Sequence, residues 1–558
     1  MKRIVCLIAA VSTMLMVGCS SKSNAGTFEG VGHGYNGEVK VEVTTEKEKI
    51  IDIKVLSNHE TSAVFDRAFP VLKERIIEAQ TPVVDSVSGA SFSSLGIKTA
   101  VAEAMKEAGK DFGQITFATH GPEVEKKQLE EVKTQLVVVG GGPAGLSAAI
   151  EAKQNGVKDV IVIEKLDILS GNGKFDMNFY DLINSEAQKA NGVEDSAEKL
   201  AADLKAEGAW DTDERLQVQG EGSAELDTWL RDMGINLNYN YGGRNHMAEE
   251  DAYAGEHIQA KMEEKVKELE IEVRTGTKGL DLIMEDGKAV GVKVENREGF
   301  YDIKADAVIM ATGGFSNNKE LLAKYAPGTE RFITSNQMGT TGDFVSVFEE
   351  NDIKLDHMDV VRIFPTVISQ RRDLTGGGST IFVNTDGKRF IDETKGGVTL
   401  GNAILDQADG KAFYIYDQQL FDGSYRLQKH NKLEYHVQAD TLEELAEKLG
   451  VNPENLVATV EATNKAIDGE ANDEFRAEPL KKKINVGPFY GVQIESAVHM
   501  TKGGVAANEK AEVLNNNDKV VEGLYAAGEV AASSAAYSAS VIFGRVSGEE
   551  ATRFILEK

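Results

Sequence analysis

The chain has 558 residues, 41% of them hydrophobic, with a formal net charge of −29 and a pI near 4.9. This length supports two to four domains with sizeable cores. The acidic balance argues against nucleic acid as a partner and predicts a well-hydrated surface.

Lys2 and Arg3 precede an apolar run over residues 4–17, too short and wrongly flanked for a stable membrane span. It ends in Met16-Val17-Gly18-Cys19, which resembles a bacterial lipoprotein signal. The resemblance implies removal of residues 1–18, lipid on Cys19, and an extracytoplasmic protein anchored to the bacterial cell membrane. The alternative is an ordinary secretory signal with an incidental cysteine. Under the lipoprotein reading Cys6 leaves with the signal and Cys19 carries lipid. No thiol then remains for a disulfide, iron–sulfur or zinc site, and no C-x-x-C-H exists for haem. Redox chemistry then has to run on organic cofactors, with no metal.

A polar tether over 19–26 leads to residues 27–117. Strand-like alternation at 39–43 and 50–55, then helical periodicity at 63–79 and 97–108, predict a small α+β domain. By local chemistry the intervening 81–94 stretch reads as a Ser/Gly turn. The segment resembles the FMN-binding domain whose flavin is attached through phosphate to Thr or Ser. The matching residues are Gly30, Gly32, Gly34 and Gly37, then Asn58-His59-Glu60-Thr61, then the D-x-x-S-G-A-S core from Asp85 to Ser91. The resemblance implies covalent FMN at Ser91, with Asp85 as the motif's acidic residue and a flavin transferase as partner.

A charged linker at 118–133 precedes the 134–165 stretch, TQLVVVGGGPAGLSAAIEAKQNGVKDVIVIEK. An apolar strand ends in Gly140, Gly142 and Gly145 in G-x-G-x-x-G spacing, followed by a helix and a second strand ending in Glu164. In this order, the glycines give the turn, the close approach to a pyrophosphate and the helix–strand packing. The helix N-terminus favours phosphate and the acidic residue a ribose hydroxyl. Dinucleotide binding is therefore expected. Further glycine turns follow at 311–314 and 526–529.

Together with Ser335-Asn336-Gln337, Gly342-Asp343, the 382–390 stretch FVNTDGKRF and His499-Met500-Thr501-Lys502-Gly503-Gly504, these pieces resemble the FAD flavoproteins of the soluble fumarate reductase family, which includes urocanate and acrylate-type reductases. The resemblance implies an α/β fold: a Rossmann-like FAD domain (134–355 and 499–558) split by an α+β capping domain (356–498). By position, Gly140, Gly142, Ala144 and Gly145 hold the pyrophosphate and Glu164 the ribose. Asn172, Thr312, Asp343, His499 and Glu529 line the rest. The block after Glu164 is shorter than the family's glycine-rich loop.

In that family hydride passes from flavin N5 to an activated double bond, a cap arginine supplies the proton, and His and Arg side chains clamp carboxylates. Here those positions hold Phe364, Gly376 and Met500, and the stretch of the last arginine is shortened at 533–537. Fumarate is therefore not the expected acceptor. One reading is a reductase for another organic acceptor with an activated C=C bond, fed by a membrane-bound donor, with Tyr537, Arg371 and Arg372 as candidate proton donors and Lys502 and His246 as outsiders. The other is a non-catalytic flavin electron carrier. The retained cap favours the enzyme, since a lid that excludes water serves catalysis.

Overall fold

The computed structural model describes residues 25–557 except 61, 170, 175–179, 249–253, 370–371, 377–379, 409, 433 and 534–536. The signal segment, Cys19 and Arg371 lie outside the described residues. Among those described, no helix is long and apolar enough to cross a membrane. The chain divides into two compact units, Met1–Pro122 and Glu123–Lys558.

In the first unit, β1 (Gly26–His33), β2 (Glu38–Glu46) and β3 (Lys49–Asn58) form an antiparallel sheet in that order. Val39, Val41 and Val43 alternate into its core, as a strand with one buried face requires. Helices α1 (Ser62–Ala79) and α2 (Ser91–Glu107) complete the unit. A Cβ at Gly30 or Gly32 would stand 2.0 Å from the carbonyl oxygen of Ala100 or Gly96, so these two glycines let α2 lie close against β1. The helix begins at Ser91, well before the periodicity at 97–108. Its first turn, Ser91-Phe92-Ser93-Ser94, carries a single apolar side chain and so shows no apolar stripe.

The second unit starts inside the stretch expected to be linker. β4 (Lys127–Gln128) already pairs with the Gly299–Met310 strand. β5 (Val132–Val139), α3 (Pro143–Gln154) and β6 (Val160–Ile163) form a parallel βαβ unit. They belong to a nine-stranded sheet ordered Glu272–Arg274, β6, β5, Gly299–Met310, Lys288–Glu295, Lys278–Glu285. The Val520–Ala526 strand pairs in parallel with the end of Gly299–Met310. One sheet face is buried against α3 and the Tyr537–Leu556 helix, the other against Phe344, Phe348 and Val505. Burial on both faces explains the uninterrupted apolar runs of β5 and of residues 307–310.

A second, six-stranded sheet is built on the Phe489–Thr501 strand, with Ala412–Asp417, Val361–Ile368 and Val437–Ala439 paired antiparallel to it. Leu442–Leu449 and Pro453–Ile467 pack over it. Phe489–Thr501 does not stop at residue 498. Its ladder runs on to Thr501, and Ile333–Thr334 joins it in parallel. One continuous strand therefore carries the cap sheet into the flavin-side loops.

Candidate functional site

In the first unit Ser91 is exposed at the start of α2, just after Ala90. A 17-residue helix beginning here presents unpaired N–H groups and a positive dipole end to a phosphate. Asp85 Oδ1 accepts the Gly121 N–H at 3.0 Å and lies 3.6 Å from His120 Nδ1. Two turns along α2, Lys98 is fully buried and its Nζ donates to the Thr119 carbonyl at 2.9 Å. Burial pushes this ammonium's pKa down, against the nearby Asp85 charge. Beside Ser91 the Phe92 ring is 51% exposed and meets Tyr35 and Phe117 edge-on, at centroid distances of 5.5 and 4.9 Å.

In the second unit, three parallel strands end side by side in glycine turns, at Gly140, at 311–314 and at 527–528. Gly140 has φ +118°, and a Cβ there would stand 2.2 Å from the Ala311 carbonyl oxygen. Only glycine lets these loops touch. They bound a cleft of about 1360 Å³, its open mouth included. Gly142 caps the N-terminus of α3 at the cleft wall.

Toward one end, Glu164 is held by the N–H groups of Gly141 and Leu166, each at 2.9 Å. Lys165 donates to Asp343 at 2.8 Å. Burial acts to raise the Asp343 carboxyl, but Lys165 and Thr341 hold it below the usual range. Deeper in, Glu529 Oε1 accepts from the backbone and hydroxyl of Thr501 at 2.9 and 3.1 Å. Its burial still pushes the carboxyl up to about 7. Asn172 Oδ1 accepts the Gln337 N–H at 3.0 Å. His499 Nδ1 lies 3.0 Å from Ser335 Oγ. Burial, with Arg362 and Arg426 nearby, drives that imidazole down to about 4, so it is neutral at pH 7.

At the cap end, Met500 and Arg362 line the cleft and are directly paired across the antiparallel ladder. Phe364 meets the His499 ring edge-on at 5.7 Å. A smaller side pocket continues from Met500, Gly528 and Glu529 to Lys502, Arg215 and Ser533. Lys502 Nζ stands 5.5 Å from the Trp210 ring centroid. Asp211 accepts from Arg215 Nε at 3.3 Å and from Ser533 Oγ at 3.0 Å.

This combination, a glycine-turn cradle at the ends of parallel strands with a buried carboxylate behind it, fits a flavin dinucleotide. The FAD binding domain family matches residues 135–539, and the FMN-binding domain family matches residues 34–106. The chain belongs to the FAD-binding oxidoreductases. The flavoprotein is 30% identical over 537 residues to the NADH:fumarate oxidoreductase of Klebsiella pneumoniae (strain 342), covering 92% of this chain and 57% of that protein. It is also 30% identical over 592 residues to the urocanate reductase of Eggerthella lenta, covering 98% of this chain and 97% of that protein. Among solved structures, the open conformation of a flavocytochrome c3 fumarate reductase superposes with a TM-score of 0.69 at 31% identity, over 76% of this chain and 79% of that one.

Of the residues singled out in the sequence, Gly140, Gly142, Ala144, Glu164 and Asn172 line the flavoprotein's cleft, as do Thr312, Asp343, His499, Glu529 and Tyr537. Gly145 does not. A Cβ there would meet the Gly140 carbonyl oxygen at 1.9 Å, so its role is to let α3 close on the strand end. Tyr537 packs edge-on against Tyr180 at 5.1 Å, and its hydroxyl donates to the Gly173 carbonyl at 3.5 Å. Burial pushes that phenol up, which keeps it protonated. Arg372 is exposed, adopts φ +61°, contacts Met338 Sδ at 3.8 Å and is not in the cleft wall. His246 is a satisfied core histidine, 2.7 Å from both Ser185 Oγ and the Arg244 carbonyl oxygen. Gly376 has φ +99°, a backbone an arginine would adopt only under strain.

Sequence reasoning missed Arg362 and Lys98. Arg362 is two residues from Phe364 on a strand, hence on the same face. Lys98 shares the inner face of α2 with Ser94 and Val101, the i, i+4 and i+3 positions.

Proposed function

We propose that the flavoprotein is an extracytoplasmic lipoprotein, anchored through Cys19, that reduces an activated C=C bond of a small organic acceptor with electrons from a membrane-bound donor. FMN is carried at Ser91 and FAD in the cleft; bound FAD supplies a hydride from N5. The observation that carries this reading is the convergence at one cleft of the glycine turns with a strand of the cap sheet bearing His499 and Met500. The relatives reduce fumarate and urocanate by name, which supports a reductase of conjugated C=C bonds.

Gly140, Gly142 and Ala144 hold the pyrophosphate, Glu164 the ribose, and Asn172, Thr312, Asp343, His499 and Glu529 the remaining length. Tyr537, protonated across the physiological range, is the proton donor. With Phe364, Gly376 and Met500 at the positions where the family carries its clamp and acid, the acceptor is not fumarate. The deciding experiment reduces the lipid-free protein, carrying both flavins, without oxygen, and follows flavin absorbance as acceptors are added singly. Fast reoxidation by one class of unsaturated acid, enone or aryl-alkene is expected. Silence across that panel, with ready oxidation by quinones or iron chelates, would replace the reductase by an electron carrier.

A further inference from the structure

Beyond the residues that match the FMN-binding family (34–106), the first unit carries a short segment tied back onto the run that ends in Ser91. Residues 116–119 make a turn. The Thr119 N–H donates to the Thr116 carbonyl at 3.1 Å, and the Thr116 N–H donates to Thr119 Oγ1 at 3.0 Å. Phe117, at the first corner of that turn, is 48% exposed. Its ring meets Phe92 edge-on at 4.9 Å, and Phe92 directly follows Ser91. Tyr35 adds a third ring, 5.5 Å from Phe92. Among the described residues the exposed phenylalanines are Phe92, Phe117 and Phe300. Two of these touch each other beside Ser91. Apolar side chains scattered singly over a surface need no occupant, but contiguous ones mark a contact surface.

Two side chains hold this segment in place. Lys98 Nζ donates to the Thr119 carbonyl at 2.9 Å and lies 3.4 Å from Ser86 Oγ. Asp85 Oδ1 accepts the Gly121 N–H at 3.0 Å. Lys98 is fully buried, and among the described residues no carboxylate lies within ion-pair distance of it. Burying an ammonium in this way is costly. A methionine of similar length would fill the same space without that cost. What the ammonium adds is donors that join residue 86 to residue 119, two segments far apart in sequence. The run from Asp85 to Ser91 is itself fixed. Arg75 Nη1 donates to the carbonyls of Asp85 and Ser86 at 3.4 and 3.2 Å, and the Val87 N–H donates to the buried Ser94 Oγ at 3.0 Å. The turn bearing Phe117 is thus set against a rigid support.

We infer that residues 116–121 form a strap that seats the isoalloxazine ring of the flavin carried at Ser91, with Phe92 and Phe117 against the ring and Asp85 and Lys98 holding the strap. The assignment rests on the reading of Ser91 as the point of attachment. A flavin joined there through its phosphate carries its ring on a short ribityl chain. The ring therefore stays close to the start of α2, where Phe92 and Phe117 stand exposed. A flat aromatic ring system gains both apolar burial and edge or face contacts from such side chains. Phe92 and Phe117 are the contact residues. Asp85 and Lys98 are positioning residues, acting through the backbone of Gly121 and Thr119.

The test uses the full chain carrying both flavins, with Ser91→Ala as the reference that holds FAD alone, so that their difference reports the covalent flavin. Fluorescence anisotropy decay and quenching by iodide follow the ring, and mass spectrometry counts the flavin attached. In the native protein the ring is expected to lack fast independent rotation and to be quenched severalfold less than free FMN. Phe92→Ala and Phe117→Ala are each expected to raise the quenching severalfold and to free that rotation, with the attached flavin undiminished. Phe117→Tyr should keep the native signal. Lys98→Met should loosen the ring with both phenylalanines still present, an effect that simple filling of the interior would not give. Phe300→Ala, in the larger unit, should change nothing. A freely rotating ring in the native protein, or quenching indifferent to both alanine substitutions, would overturn the seat. Unaltered ring signals in Lys98→Met would overturn the strap as its support. Loss of attached flavin in both alanine variants would overturn the seat in favour of a docking surface for the transferase. Conversion of a native dimer to a monomer would overturn it in favour of a second copy of the chain. Absence of covalent flavin from the native chain would instead remove Ser91 as the carrier, a failure distinct from all of these.

Discussion

Glu529 and Thr501 are joined twice: one carboxylate oxygen accepts both the backbone N–H and the hydroxyl of the threonine, at 2.9 and 3.1 Å. These bonds favour the ionised carboxylate, yet burial outweighs them and lifts the group to about 7. The folded state therefore retains a proton that the unfolded chain has released above its ordinary carboxylate range. Stability falls as pH rises between those two values and levels off above about 7. His499 acts in the opposite sense. Its value near 4 means that stability rises as pH climbs from there to the ordinary imidazole value of 6.5. Thermal melting of the native protein and of Glu529→Gln across pH 5 to 8 (an interval of roughly neutral solutions, spanning these transitions) should show a smaller loss of stability toward alkaline pH in the variant. Parallel curves would place the Glu529 titration outside this range.

Ser91 tests the first unit. Ser91→Ala, produced with the flavin transferase, is expected to lose all covalent flavin while FAD remains in the cleft. Ser91→Thr retains the hydroxyl and should keep it. Mass spectrometry of the denatured chains distinguishes the three proteins, and covalent flavin surviving in the alanine variant would dismiss the assignment.

Tyr537 tests the proton donor. Loss of a positioned acid slows a reaction by about 10²–10⁴-fold. Tyr537→Phe should reduce flavin reoxidation by the preferred acceptor by that order, with FAD content unchanged. A packing role against Tyr180 alone would leave the rate within a few-fold of native and lower the melting temperature instead.

The cap sheet is secured by a buried ion cluster. Arg389 bonds Glu393 at 2.9 Å and Asp473 at 3.0 Å, and Arg476 bonds Glu393 at 2.8 Å, with every side chain at most 6% exposed. Removing one member strands charge in the interior, at a cost of about 3–5 kcal/mol. Glu393→Gln should therefore shift the urea transition of the larger unit to markedly lower concentration. The transition of the first unit should stay where it is.

The flavin loops were legible because their chemistry is local. Gly140, Gly142 and Glu164 belong to one strand–turn–helix–strand segment, whose turn demands glycine whatever packs around it. Asp85 and Ser91 are likewise read within a single short run. Arg372, a candidate from the cap loop, is exposed, has a positive φ and does not line the cleft. Gly145, the third glycine of the motif, lets the helix pack on the strand end, the role its spacing predicts.

By itself the sequence determined the two flavin-binding segments and the parallel strand–helix–strand element of the larger unit, since each depends on spacing within a short stretch. Only the tertiary structure decided which side chains line the cap end of the cleft. Arg362 and Met500 lie far apart along the chain and meet through an antiparallel register. Irregularities in that pairing, between Arg362 and Ile363 and between Phe364 and Val367, set which side chains reach the cleft. A shift of one residue in such a ladder turns a side chain to the opposite face, and that choice is made by packing across the whole sheet.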